Sequence, residues 1–141
     1  MRRETTEDQV REWCATAARA ASSKNGSDTV ILGVGHLLAI TDAFVITGGA
    51  SARQVRAITE AVEDAVKAAG GPPPLRIEGL DDARWVLMDF GDFVVHVFGD
   101  EARRFYDLEQ LWADADPWPW AGADPPEAPA GDVQPAWAAA D

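Results

Sequence analysis

The sequence predicts an α/β fold, and three observations predict it. Two segments carry apolar residues at helical spacing behind capping residues. Several short runs are rich in β-branched and aromatic residues and bounded by turn residues. A hairpin pattern with alternating faces then precedes a last amphipathic segment.

Taken in order, Thr6 and Gln9 have capping-box spacing, and Val10, Trp13, Cys14, Ala17 and Ala21 follow as one helical stripe. This predicts a first helix over about residues 6–22, closed by an Asn25-Gly26 turn. The runs Thr29–Val34 and Ala43–Thr47 are nearly continuous in apolar residues, as strands covered on both faces tend to be. Ser51 with Gln54 forms a second capping box, and Val55, Ile58, Val62, Val66 and Ala69 make the stripe of a second helix. Gly70-Gly71 and three prolines stop it. A short strand is expected at Leu75–Ile77.

Residues 84–98 read as a hairpin around Asp89-Phe90-Gly91-Asp92, with a two-residue turn at Phe90-Gly91 or Gly91-Asp92. Either register puts Val86, Met88, Phe93, Val95 and Val97 on one face, the expected core. The other face carries Trp85, Leu87, Asp89, Val94, His96 and Phe98, a mixed set that suits a partner surface. The last helix is expected from an Asp100 N-cap through Leu111-Trp112. Phe105, Leu108 and Trp112 fall within about 60° of one another, while Tyr106 and Leu111 lie roughly 100° and 120° to either side of Phe105. One core-facing stripe does not need so wide an apolar arc. Either the helix is wedged between the sheet and a terminal segment, or Tyr106, Glu109 and Trp112 form a protein-binding patch.

The chain has 141 residues and a formal net charge of −12. That length fits one domain with appendages. From Ala113 onward there are six prolines, six acids and no Lys or Arg. The division expected is therefore a domain over residues 1–115 and a disordered Pro/Ala-rich acidic tail over 116–141. An acidic chain repels phosphate backbones, which argues against a nucleic-acid binder. Its field either favours a basic partner or simply keeps the protein soluble. No apolar run reaches the ~20 residues of a membrane span. A single cysteine, Cys14, fits a reducing cytoplasm.

Catalytic signals are weak. Asp89-Phe90-Gly91 spells a kinase tripeptide without its companion motifs. Cys14, His36 and His96 lack zinc spacing, and Cys14 sits on an apolar helix face, where thiols are usually inert. Gly48-Gly49 with Ser51 is similar to a nucleotidyltransferase phosphate turn, but that chemistry needs paired acids on a following strand. The acids at suitable distance, Glu60, Glu63 and Asp64, belong to the second helix. No catalytic residue, cofactor or metal is expected.

The run Thr41–Gly48, then Ser51–Val55, Glu78-Gly79, Trp85, the Asp89–His96 hairpin and Arg103–Trp112 (RRFYDLEQLW) together resemble the ribosomal silencing factor family, also called RsfS or Iojap-like. The likeness spans roughly residues 6–115. It implies a mixed, roughly five-stranded sheet with flanking helices, of nucleotidyltransferase-like topology without that activity. It further implies binding to ribosomal protein fourteen of the large subunit, which blocks subunit joining and represses translation under nutrient limitation, and often a homodimer. Carried over by position, the contact surface comprises Trp85, His96, Tyr106, Leu108 and Glu109, with Leu111 and Trp112 beside it on the last helix. Two departures stand out. Gly33 occupies a first-strand position where the family usually has aspartate, and the segment after Pro117 is expected to be an addition. The rival readings are a degenerate nucleotidyltransferase and a scaffold for another basic protein.

Overall fold

The computed structural model describes residues 5–37, 40–106 and 113–120, the side chains of Phe105 and Tyr106 excepted. The order of elements is α1 (Glu7–Ser23), β1 (Ser27–Gly33), β2 (Ala43–Gly49), α2 (Ala52–Ala68), β3 (Arg76–Glu78), β4 (Trp85–Asp89), β5 (Phe93–Gly99), α3 (Asp100–Tyr106) and β6 (Asp116–Trp118).

The capping chemistry starts α1 as the sequence predicts. Thr6 Oγ1 accepts the Gln9 N–H at 3.1 Å, and Gln9 Oε1 accepts the Thr6 N–H at 3.0 Å, so two orphan donors of the first turn are satisfied. Thr6→Ala is expected to cost about 1 kcal/mol, read as a lower urea midpoint at unchanged slope. No change in midpoint would mean that the cap contributes nothing. At α2 only half of the predicted box forms. Ser51 Oγ accepts the Gln54 N–H at 3.1 Å, but the Gln54 side chain turns elsewhere. Its Oε1 accepts from Ala50 N–H, and its Nε2 donates to the Lys24 and Asn25 carbonyls, tying the end of α1 to the start of α2. Gly70, at φ 83°, then supplies the left-handed residue that ends α2.

The strands form one mixed sheet in the order β3-β4-β5-β2-β1-β6. Among the described residues, β2 pairs with β5 in parallel and the remaining pairs are antiparallel. β2 lies inside the sheet and is buried at all seven positions, as its continuous apolar run predicts. Helices α1 and α2 cover one face. There Val10, Cys14, Ile58, Val62 and Val66 pack on Ile31, Val45, Val86, Met88, Phe93, Val95 and Val97. The predicted core face of the hairpin is thus the helix-covered face. The turn uses Gly91-Asp92, with Phe90 N–H bonded to the Phe93 carbonyl at 3.0 Å. Gly91, at φ 93°, is the first central residue, where a two-residue turn of this kind demands glycine.

Two expectations are corrected. Asp116–Trp118, expected in a disordered tail, pairs with β1 and adds a sixth strand to the roughly five expected. The physical reason lies at Gly33. A Cβ there would stand 2.7 Å from Trp118 Cε2, so only the missing side chain lets the indole lie against the strand. The Arg11 guanidinium covers the same ring at 4.0 Å. Second, Asp100 is the first helical residue of α3 rather than its cap. The helix is described to Tyr106, and its expected continuation through residues 107–112 lies outside the described residues.

Candidate partner-binding face

The sheet face opposite α1 and α2 is built from a second cluster: Val30, Leu32, Val34, Phe44, Ile46 and Phe98, with Ala102 of α3 and Ala115. Trp85 and Val94 pack at its margin. Alternation along β4 and β5 puts Trp85, Leu87, Asp89, Val94, His96 and Phe98 here, as the sequence predicts. Strand register sets Trp85 opposite Phe98 and Leu87 opposite His96.

His96 is at the centre of an aromatic group. Phe44 meets it edge-on at 4.8 Å between ring centroids, and Trp85 stacks on Phe98 at 4.9 Å. Trp85 Nε1 donates to His96 Nδ1 at 3.1 Å. That bond assigns the neutral tautomer with its proton on Nε2. Burial lowers the His96 pKa to about 4. His96 is only 5% exposed and Phe98 is fully buried, so this face is less open than the mixed sequence pattern suggests. Nε2 has no hydrogen-bond partner.

Of the residues expected at the contact surface, the structure brings Trp85 and His96 together. Tyr106 ends α3, and its side chain, with Leu108, Glu109, Leu111 and Trp112, lies outside the described residues. α3 is fixed at its base by Arg103, which donates to the Ser27 and Asp28 carbonyls at 2.9 and 2.8 Å. Those carbonyls belong to an irregular stretch of β1 in which Asp28 has φ 47°. Sequence reasoning missed a groove of about 430 Å³ on the same face. Ile40, Thr41, Phe44, Leu75, Leu87, Val94 and His96 are among its lining residues. The apolar run from Leu37 to Ile40, between the two strand-like runs of the sequence, was the available signal.

The phosphate-turn likeness has a packing explanation. Cβ atoms at Gly48 and Gly49 would meet Ser27 Oγ at 3.1 Å and Val55 Cγ2 at 3.1 Å, so close packing, not an unusual backbone angle, favours the glycines. Glu60, Glu63 and Asp64 lie on α2, exposed to solvent. The Cys14 thiol is buried and its pKa is raised, first by burial and then by the Asp42 carboxylate, the reverse of an activated nucleophile. Asp89 Oδ1 accepts the Gly91 N–H at 2.9 Å, so the kinase-like tripeptide is a hairpin turn.

Fold and face together define a mixed α/β protein whose sheet is closed by two helices on one side and carries an aromatic cluster on the other. A family model described as "Ribosomal silencing factor during starvation" matches residues 7–140, past Pro117, and the chain belongs to the ribosomal silencing factor family. It is 41% identical over 99 residues to ribosomal silencing factor RsfS of Bacillus subtilis, covering 70% of this chain and 83% of that one. The crystal structure of a Chromobacterium violaceum protein superposes with a TM-score of 0.71 at 30% identity, covering 84% and 96% of the two chains. A mouse protein named "Mitochondrial assembly of ribosomal large subunit protein 1" is 34% identical over 91 residues, 63% of this chain and 40% of that one. The family is one of regulatory, ribosome-associated factors. Among the described residues, no helix is long and apolar enough to cross a membrane.

Proposed function

We propose that this chain binds the large ribosomal subunit through ribosomal protein fourteen and sterically blocks joining with the small subunit, repressing cytoplasmic translation when nutrients are limiting. It does so without chemistry of its own. The observation that carries the reading is the Trp85–His96 pair, held at 3.1 Å on the aromatic sheet face of a protein from this family. Tyr106, Leu108, Glu109, Leu111 and Trp112 extend the contact along the last helix in this reading. A mouse relative named for the large ribosomal subunit supports the choice of subunit. The net charge of −12 suits a basic ribosomal protein. An interface of ordinary size, ~800 Å² per partner, suffices if it overlaps the subunit contact. Association into a homodimer belongs to the same proposal.

Gradient sedimentation of mixed subunits tests it. Added protein should raise free subunits at the expense of joined ribosomes. Trp85→Ala with Glu109→Ala should abolish this effect while the circular-dichroism spectrum stays that of the parent, since hot-spot truncations commonly cost ~2 kcal/mol or more. Normal joining in the presence of saturating protein would overturn the proposal, and unaltered blocking by the double variant would overturn the assigned surface.

A further inference from the structure

The groove on the open sheet face lies toward the hairpin turn, away from α3, and has two properties that packing does not explain. Its rim carries the two most exposed large apolar side chains among the described residues, Ile40 at 83% and Leu75 at 73%. A third, Leu37 at 40%, comes three positions before Ile40 in the sequence. Exposing such groups singly is unremarkable, but flanking one groove with two of them marks a contact surface. The groove is also lined by Thr41 and His96, whose Thr41 Oγ1 and His96 Nε2 are buried polar atoms with no hydrogen-bond partner. Buried polar groups are nearly always satisfied, so two orphans in one groove register an absent acceptor. Because Trp85 donates to Nδ1, Nε2 is a donor, and the Thr41 hydroxyl can donate beside it.

We infer that this groove receives an extended segment of a cationic protein, one aliphatic side chain passing between Ile40 and Leu75 while main-chain carbonyls meet the Thr41 hydroxyl and His96 Nε2–H. The inference rests on the proposed ribosomal binding and extends its contact surface from Trp85, through the shared His96, to the other end of the sheet. Charge selects the occupant. Arg76, the cation lining the groove, is already bonded to Glu78 at 3.4 Å and Asp89 at 3.5 Å, so the rim offers no free positive group from its described lining. Nucleic acid is repelled by a chain of net charge −12. A second copy brings the same acidity, and the segment after Ala113 carries six acids with no Lys or Arg. A basic partner matches both the apolar rim and the sign of the field.

The test is binding of full-length protein to purified large subunits by co-sedimentation, with Ile40→Asp, Leu75→Asp and, on the far side of the sheet, Ser22→Asp. Both rim positions are exposed, so the substitutions leave the fold intact. We expect at least tenfold weaker binding for each rim variant and parental binding for Ser22→Asp. Rim variants that bind within twofold of the parent overturn the groove assignment while leaving the proposed function standing. A parent that fails to bind large subunits removes the proposed function itself. Sedimentation equilibrium of the free protein supplies the remaining arm: a dimer that both rim variants dissociate would make the groove a self-association site and overturn the cationic occupant.

Discussion

Between pH 7 and pH 5 the folded domain is expected to lose about 2 kcal/mol of stability through His96 alone, rising to about 3 kcal/mol by pH 4. The imidazole is 5% exposed, ringed by Phe44, Trp85 and Phe98, and burial lowers its pKa from 6.5 to about 4. As pH falls through 6.5 the unfolded chain takes up a proton that the folded chain refuses. Unfolding is therefore favoured progressively until about pH 4, below which both states are protonated and the loss levels off. Protonation would also displace Trp85, because Nδ1 cannot accept its N–H once charged. Urea unfolding at pH 7, 6 and 5 reads the slope. His96→Asn keeps an acceptor for Trp85 but cannot titrate, so its stability should fall much less over this range. Equal slopes for parent and variant would mean that His96 is not the group responsible.

Gly33→Asp should release the sixth strand while leaving the rest of the sheet folded. The new Cβ would stand 2.7 Å from Trp118 Cε2 and 2.9 Å from Cζ2, so the indole must leave β1. With it go three strand-paired positions (Ile31, Leu32 and Gly33 opposite Trp118, Pro117 and Asp116) and the Arg11 contact. An expected cost of roughly 1–3 kcal/mol follows from losing the apolar contact and strand pairing together. The readout is a single indole N–H resonance, one of six in the chain, moving to its solvent-exposed position. Adding Trp118→Gly to Gly33→Asp should change the urea midpoint little further, because the indole contact is already lost. An unshifted Trp118 resonance in Gly33→Asp would show that the ring does not lie against Gly33.

Much of this architecture is local and was legible in the residues. Thr6 and Gln9 fix the start of α1, Ser51 starts α2, and Gly70 ends it, because capping and left-handed glycine are decided within one turn of chain. A side-chain period of two fixes which hairpin residues share a face, so alternation alone places Met88, Phe93 and Val95 in the core. The family was legible too, from motifs spread over most of the chain.

Tertiary structure alone decided the rest, since these features depend on what a residue meets across the fold. Nothing near Gly33 in sequence announces that Trp118, 85 positions later, takes the space of its missing side chain. Gln54 completes the capping pattern on paper, yet bonds to the end of α1 because two carbonyls there come within 3.0 Å. His96 reads as surface by alternation and is buried by the aromatic rings that β2, β4 and β5 bring around it. Periodicity reports the direction in which a side chain leaves the backbone, and long-range packing determines what is waiting there.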